Sequence, residues 1–391
     1  MISELISAIP VPLLLIGAML FAAYSFVIRR CNRILMQLLL FKAGGISKDK
    51  VTVVIAARNE EACIGACLDS LLQQSLPAEQ CEVIVVDDGS DDHTAAIVSA
   101  YASRGVKLIR LTEVDRSGKK AALRKGIAAA TNGIIVTTDA DCSFDPGWLN
   151  TLLLFRQEKQ AVFVAAPVRY SHEKSFLDRF QSLDFLSLQA ITAAAVSARL
   201  FNMCNGANLL YTRAAYDAVG GFEGNDHIAS GDDMFMMEKM AATFPGQVNF
   251  CYAEDAIVTT APAGSWRAFI RQRIRWASKS TYYRHNGIKL VLLLVYLVNS
   301  GLTAMMLMLF FLPQYLPVWL FMVLMKGLIE FPLMIRIARF FNKTHLLPWF
   351  IPIQPLHALY TVLAGGFGMI GSYEWKGRKE KRLNSPPEHC G

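Results

Sequence analysis

The feature that most constrains the fold is an uncharged apolar segment near the amino terminus, IPVPLLLIGAMLFAAYSFVI, which runs from Ile9 to Ile28. A helix of that length spans roughly 30 Å, the thickness of one hydrocarbon core. Three arginines follow within a few residues, whereas only Glu4 is charged before the segment. This charge order favours a signal anchor with the next residues in the cytosol, and a cleaved leader is the alternative. We therefore assign residues 1–48 to an anchor (span about 9–28) and an interfacial segment.

The carboxyl-terminal residues 286–391 contain further apolar segments, and we predict spans at about 290–312, 316–335 and 346–371. The second predicted span contains Lys326 and Glu330, which are four residues apart and would share one face of a helix. Ionisable residues within a span usually face protein or water. The pair therefore indicates either a functional site or a structural contact between helices.

The third apolar segment is interrupted by Pro348, Pro352 and Pro355, which predicts either one kinked span or a re-entrant element. A basic tail, residues 376–382, follows it. The positive-inside rule places this tail in the cytosol, whereas three complete spans after a cytosolic domain would place it outside. Either the third segment is re-entrant or the charge rule fails in this chain.

The composition agrees with a membrane protein, because 53% of the residues are hydrophobic and only 18% are charged. We read the net charge of +7 first as topology signals and contacts with anionic membrane lipids. The chain has no basic tract interleaved with aromatic residues, so we predict no nucleic-acid partner. None of the 8 cysteines has zinc-site spacing, which favours small buried thiols in a reducing compartment.

Residues 49–285 have the pattern of a cytosolic α/β domain. Four apolar runs, VTVVIAA, EVIVVDD, VKLIRL and GIIVTT, alternate with stretches of helical periodicity. Strands that alternate with helices predict a mostly parallel sheet flanked by helices.

Each of these four strands is followed by a polar cluster. The clusters are, in order, ARNEE, DDGSDD, RSGKKAAL and DADCS. Ligands bind at the carboxyl ends of parallel strands, so we expect the four clusters to build one site. Each cluster alone is a weak signal, because Asp-Gly and Gly-Ser are common in turns.

The residue types in these clusters indicate a nucleoside-diphosphate site. Asp139 and Asp141 lie two residues apart and repel each other unless a cation is near, and carboxylates bind Mg²⁺ or Mn²⁺. Lys119 or Lys120 at a helix start can meet a phosphate. Asp87 and Asp88 can accept hydrogen bonds from a ribose or base. The chain contains neither GxGxxG nor a P-loop, which argues against a dinucleotide redox site.

Six segments in this order resemble the motifs of family 2 glycosyltransferases. They are VTVVIAARNEE, EVIVVDDGSDD, SGKKAAL, TTDADC, SGDDMFM and RQRIRW. The resemblance covers roughly residues 50–285 and implies the GT-A fold, an inverting mechanism and a nucleotide-sugar donor. The subgroup it implies is membrane-embedded, like the cellulose, chitin and hyaluronan synthases and ceramide glucosyltransferase.

The resemblance also implies roles for individual residues of the first four clusters. Asp139 and Asp141 match the metal-binding DxD motif, and the resemblance favours Asp141 as the direct ligand. Asp87 and Asp88 match the acids that contact ribose and uracil. Arg58 and Glu60 match residues of the nucleotide-binding loop, and Lys119 matches the lysine that faces the phosphates.

Two motifs remain in the second half of the domain. Asp233 matches the catalytic Asp, while Asp232 stands where the family often has Glu, so its role stays open. Both could instead be a helix N-cap and a first-turn acid. Gln272, Arg275 and Trp276 match QxxRW, the acceptor and diphosphate motif, although SWRAFIRQRIRWASKS also has the pattern of an interfacial amphipathic helix.

The sequence as a whole predicts a transferase of the plasma (inner) membrane with a cytosolic catalytic domain. The expected donor is a nucleotide sugar, with UDP first, and the expected acceptor is a membrane-associated lipid or saccharide, with processive transfer left open. The turn CNGANLLY is expected either at an acceptor pocket or as a structural turn. The rival interpretation is a catalytically inactive nucleotide-sugar-binding or scaffold protein of the same fold.

Overall fold

The structure, a computed structural model, describes residues 11–112, 118–223, 232–279, 283, 285–370, 373–375 and 378–380. It divides into two compact units. The sheet unit contains Gln37–Glu173 and Leu188–Pro262, and the helical unit contains Met1–Met36, Lys174–Ser187 and Ala263–Gly391. The single domain that the sequence predicts over residues 49–285 stays a prediction. Its bounds differ from those of the sheet unit, because residues 174–187 and 263–285 belong to the helical unit.

The strands of the sheet unit are β1 (Val51–Ala57), β2 (Cys81–Asp87), β3 (Val106–Arg110), β4 (Ile134–Asp139), β5 (Cys142–Phe144), β6 (Phe163–Ala165), β7 (Val168–Tyr170), β8 (Leu209–Thr212), β9 (Val248–Phe250) and β10 (Val258–Thr260). Seven of them form the main sheet, in the order β3-β2-β1-β4-β8-β6-β9. Only β8 runs antiparallel to its neighbours, β4 and β6. The predicted mostly parallel sheet is confirmed, and its first four strands are the four apolar runs.

Helices flank this sheet and form most of the helical unit. They are α1 (Val11–Gln37), α2 (Ile64–Leu71), α3 (Thr94–Ala100), α4 (Lys119–Ala129), α5 (Trp148–Lys159), α6 (Phe176–Ser197), α7 (Arg213–Ala218), α8 (Asp232–Thr243), α9 (Trp266–Ala277), α10 (Asn286–Met308), α11 (Leu316–Phe340), α12 (Leu347–Phe350) and α13 (Gln354–Ile370). The boundary between the two units falls within α6.

A second, three-stranded sheet lies in the sheet unit, with β10 between β5 and β7. Strand β5 begins at Cys142, directly after the DAD segment, and pairs antiparallel with β10. This pairing brings Thr260 opposite Cys142 and places β10 beside the second aspartate of the segment. A short hairpin, β11 (Tyr373–Trp375) with β12 (Arg378–Glu380), belongs to the helical unit.

Among the described residues, two helices are long and apolar enough to cross a membrane. They are Asn286–Met308 and Pro313–Phe340, in agreement with two of the predicted spans. The third apolar segment forms a pair of helices, Thr344–Phe350 and Gln354–Met369, bent by 83°. This bend excludes a straight span and fits both a broken span and a re-entrant element. The amino-terminal span remains a prediction, on a segment that is helical from Val11.

The charged pair of α11 forms as expected, inside a polar network of the helical unit. Lys326 Nζ lies 2.7 Å from Glu330 Oε1. The side-chain amide of Gln354 joins both: its oxygen accepts from Lys326 at 2.6 Å and its nitrogen donates to Glu330 at 2.8 Å. The hydroxyl of Tyr24 also donates to Glu330. Because both charges have partners on neighbouring helices, the geometry favours the structural interpretation of this pair.

Candidate active site

The register of the sheet brings the first, second and fourth polar clusters to one edge. Ala57 pairs with Asp87, Ala56 pairs with Asp139, and Asp87 pairs with Arg110. The strands are parallel, so the residues that follow each of them emerge at the same end of the sheet. The four strand ends therefore form a continuous rim with acids on two of them.

Asp87 and Asp88 are buried at this rim, with exposed fractions of 1% and 2%. Arg58 Nη1 donates to the Asp88 carbonyl at 3.1 Å and lies 4.0 Å from its carboxylate. Arg110 Nε lies 3.6 Å from Asp87 Oδ2, while Asp87 Oδ1 accepts the Ser90 amide at 3.0 Å. Buried carboxylates need such partners, so these contacts define the orientation of both acids.

The loop that contains Glu60 is hydrogen-bonded to the segment that follows β2. The Glu60 amide donates to Thr94 Oγ1 at 2.8 Å, and the neighbouring Asn59 amide donates to Ser90 Oγ at 3.0 Å. Asn59 Oδ1 accepts the Asp91 amide in return, at 2.9 Å. The two loops hold each other through backbone amides, which makes a preformed rim rather than two independent loops.

The structure distinguishes the two lysines at the start of α4. Lys119 Nζ lies 2.5 Å from Asp139 Oδ1, so the cation beside the paired aspartates is a side chain of this chain. Lys120 is buried, and its Nζ lies 5.9 Å from the centre of the Phe235 ring. Only Lys119 of the two is therefore directed to the DAD segment. Arg116, in the same polar cluster, lies outside the described residues.

Asp141, the second aspartate of the DAD segment, contacts β10. Thr260 Oγ1 donates to Asp141 Oδ2 at 3.1 Å. Burial raises the pKa of Asp141, and the charge of Asp139 raises it further. A carboxyl in this position gains from a nearby cation, because the cation offsets both effects.

The two aspartates fit a divalent metal only together with other ligands. Within the described residues, no group of three or more His, Cys, Asp or Glu side chains could hold a metal ion. Mg²⁺ and Mn²⁺ prefer oxygen, and Mg²⁺ is often bound by one or two carboxylates plus substrate phosphates. Asp139 and Asp141 match that donor set.

Asp233 joins the cluster through the turn CNGANLLY. The Gly206 amide donates to Asp233 Oδ2 at 3.0 Å. A Cβ added at Gly206 would lie 3.4 Å from Asp233 Oδ2 and 3.4 Å from Lys119 Nζ, so both side chains approach the same side of this glycine. Asp233 also lies in the first turn of α8, as the alternative interpretation expected. Gly231 and the side chain of Asp232 lie outside the described residues.

The sheet unit thus brings Lys119, Asp139 and Asp233 together around Gly206, with Asp141 adjoining. Sequence reasoning singled out the turn but missed the specific contact of Gly206, and it missed Thr260 altogether. No local signal marks Thr260, because it meets Asp141 only through the pairing of β5 with β10.

The QxxRW residues lie in the helical unit, on α9. This helix is capped by Ser265, whose Oγ accepts the Ala268 amide at 3.2 Å. Arg275 is in its last turn, and the ring of Trp276 lies 6.2 Å from that of Phe185. Sequence reasoning passed over Arg273, which is buried between the named residues. The roles of Gln272, Arg275 and Trp276 stay predictions.

The chain is similar to known glycosyltransferases in sequence and in fold. The profile of Glycosyl transferase family 2 matches residues 52–220. Glycosyltransferase AglE of Haloferax volcanii is 26% identical over 227 residues, which are 58% of this chain and 71% of the relative. Probable glycosyltransferase YdaM of Bacillus subtilis is 27% identical over 244 residues, 60% of this chain and 56% of the relative, so the chain spans little more than half of that protein.

A solved structure resembles the chain over most of its length. The mannosyltransferase PcManGT of Pyrobaculum calidifontis, determined with GDP-Man and Mn²⁺, aligns with a TM-score of 0.58 at 21% identity. The alignment covers 91% of this chain and 98% of that one. At this identity the likeness concerns the fold, which is GT-A-like.

Residues 52–220 therefore match the family 2 glycosyl transferase profile, and the fold of the chain is GT-A-like. The family profile and the two relatives support a glycosyltransferase.

Proposed function

We propose that the protein is a membrane-bound inverting glycosyltransferase. It transfers a sugar from a nucleoside diphosphate sugar, with UDP as the first candidate, to a lipid or saccharide acceptor at the membrane. The carrying observation is that the Lys119 ammonium and the Asp233 carboxylate approach the same point: a Cβ added at Gly206 would lie 3.4 Å from each of them. The Gly206 amide donates to Asp233, and Lys119 is paired with Asp139. A group suited to bind phosphate and a group suited to accept a proton are thus neighbours.

The donor diphosphate is expected beside Lys119, Asp139 and Asp141. A divalent metal held by the two aspartates would supply positive charge to the phosphate oxygens of the leaving group. Lys119 offers a second positive charge there, and α4 begins at this residue, so the amino-terminal end of the helix also favours an anion. These charges stabilise the leaving diphosphate as the bond to the sugar breaks.

Asp233 is the proposed general base. Its carboxylate takes the proton of the acceptor hydroxyl as that oxygen attacks the anomeric carbon from the face opposite the diphosphate. The Gly206 amide, 3.0 Å from Oδ2, orients the carboxylate without neutralising it. A positioned general base contributes roughly 10²- to 10⁴-fold in rate.

The membrane assignment rests on the helical unit. The two helices of the described residues that are long and apolar enough to cross a bilayer carry exposed apolar side chains, among them Leu293 and Phe321. Exposed apolar surface of this extent suits contact with lipid rather than water. An acceptor that is itself membrane-associated would be within reach of such an enzyme, and Gln272, Arg275 and Trp276 are the proposed acceptor and diphosphate contacts.

The substitution Asp233→Asn tests the role of the base. We expect turnover to fall at least about 100-fold, while binding of the nucleotide sugar is unchanged, because the amide cannot accept a proton at neutral pH. Asp69→Asn is the matched control, since Asp69 is half exposed and pairs with Arg104 in the same unit. Turnover near the wild-type value in Asp233→Asn would refute the assignment.

A donor screen tests the function itself. Purified membranes are supplied with UDP and GDP sugars and with Mg²⁺ or Mn²⁺, and both nucleotide release and sugar transfer to lipid or polymer are measured. GDP sugars are included because the similar mannosyltransferase was determined with GDP-Man and Mn²⁺. Binding of a donor without release under any condition would favour the inactive scaffold.

A further inference from the structure

Arg273 lies within the QRIRW segment but does not face solvent. Its exposed fraction is 4%, and that of Asp184, its partner on α6, is 3%. Arg273 Nε donates to Asp184 Oδ2 at 2.8 Å, and Nη2 lies 2.6 Å from the same oxygen. A buried ion pair is weak evidence for stability, because desolvation offsets much of the attraction. Stability alone therefore does not account for a buried ion pair at this position.

Asp184 is held as a carboxylate by several donors. The hydroxyl of Tyr360 on α13 donates to Oδ1, and His357 Nε2 lies 3.6 Å from the same oxygen. Burial alone would raise the pKa of Asp184, but the Arg273 guanidinium and His357 hold it at about 2. Asp184 therefore stays charged at any physiological pH and provides a fixed point for the guanidinium.

The other side of the Arg273 guanidinium contacts two residues of the QxxRW motif. Its Nη1 donates to Gln272 Oε1 at 3.2 Å. Its carbon lies 4.2 Å from the centre of the Trp276 ring and 4.8 Å from that of Phe269. One planar group thus hydrogen-bonds the first residue of the motif and stacks on the last. A guanidinium can do both at once, whereas an ammonium is a single point charge.

We propose that Arg273, held by Asp184, is a positioning residue that orients Gln272 and Trp276 for the acceptor. This inference rests on the proposed function of the QxxRW residues and extends it to a residue that the motif leaves undefined. Tyr360 shares the Asp184 carboxylate, so a helix of the apolar third segment supports the same arrangement.

The substitution Arg273→Lys tests this inference in the full-length protein in lipid nanodiscs. Lysine keeps the charge for Asp184 but loses the hydrogen bond to Gln272 and the stacking on Trp276. Arg271→Lys is the matched control, because Arg271 is exposed on the same helix. We expect Arg273→Lys to lower kcat/KM for the acceptor about tenfold or more and to leave nucleotide-sugar binding unchanged, whereas the control behaves as wild type.

Two further readouts separate positioning from general stability. In a double-mutant cycle, Arg273→Lys combined with Gln272→Ala should lose little more than the larger single effect, because both remove the same contact. The Trp276 emission, taken as the difference between each protein and its Trp276→Phe counterpart, should shift in Arg273→Lys but not in the control. Additive losses with an unshifted emission would overturn the inference.

The outcomes also distinguish this inference from the proposed function. If Asp233→Asn abolishes turnover while Arg273→Lys matches its control in kinetics and emission, the positioning role is wrong and the proposed function stands. If the wild type transfers no sugar, the proposed function fails, and the Trp276 emission still decides whether Arg273 orients that ring. If Arg273→Lys does not fold, Asp184→Asn is measured in the same assays, because this substitution preserves the side-chain volume. We expect it to lower kcat/KM for the acceptor as well.

Discussion

The substitution Gly126→Ala should destabilise the sheet unit although it places a better helix former inside α4. A Cβ at Gly126 would lie 2.4 Å from Val54 Cγ1 and 3.0 Å from Val86 Cγ2. Carbon atoms in contact prefer roughly 3.5–4.0 Å. Val54 and Val86 are fully buried on β1 and β2, and their χ1 angles are restricted, so α4 itself must move by about 1 Å.

The size of the effect follows from two opposing contributions. Alanine in a helix interior gains about 1 kcal/mol over glycine. Overpacking of a core costs about 1–3 kcal/mol, and a contact of this shortness belongs at the upper end. We expect a net loss of about 2 kcal/mol, or a Tm lower by about 4–8 °C for a unit of this size.

The same movement should reach the candidate site. Lys119 is the first residue of α4, and its Nζ lies 2.5 Å from Asp139 Oδ1. Because a misplacement of about 1 Å can cost about 100-fold in rate, we expect kcat to fall by more than the loss of folded protein explains. Thermal unfolding and turnover are measured on the same purified sample.

Gly65→Ala in α2 is the matched control. A Cβ at Gly65 would lie 3.7 Å from Tyr101 Oη and 3.9 Å from Ile97 Cγ2, which are ordinary contacts. This variant should be at least as stable as the wild type and fully active. A Gly126→Ala protein with unchanged Tm and kcat would refute the packing argument.

Three further predictions concern charge. Burial alone would raise the pKa of Glu82, but Lys107 and hydrogen bonds from neighbouring threonines lower it from 4.5 to about 2. A carboxyl whose pKa is lower in the folded state stabilises the fold at pH values above the ordinary pKa of Glu, and this stabilisation is lost as the pH falls towards 2. In Glu82→Gln the free energy of unfolding should therefore depend less on pH between about pH 5 and 2. Lys119→Met should lower turnover about 10- to 100-fold through the loss of a charge-assisted hydrogen bond, while the exposed Lys125→Met should not. A chelator should abolish sugar transfer, and added Mn²⁺ should restore it. The Asp141→Asn protein should need at least about tenfold more metal for the same activity. Transfer that is insensitive to chelation would contradict the metal assignment.

Much of the sheet and the rim of the site could be predicted from local pattern. Apolar runs located the first four strands, and the position of Asp139 and Asp141 directly after the fourth run placed both at a strand end. The prediction that the polar clusters converge needed only the rule that parallel strands present their carboxyl ends together. Two apolar helices were likewise located from their length and lack of charge.

The tertiary structure decided which side chains meet. The residue pattern alone left Lys119 and Lys120 equivalent, and only the family resemblance singled out Lys119. Packing directs Lys119 to Asp139 and buries Lys120 beside Phe235. The Gly206 amide reaches Asp233, and Asp184 reaches Arg273, across long separations along the chain. Periodicity reports the environment that a residue needs, whereas its partner is determined by how distant elements pack, so only the folded chain identifies the contacts of the site.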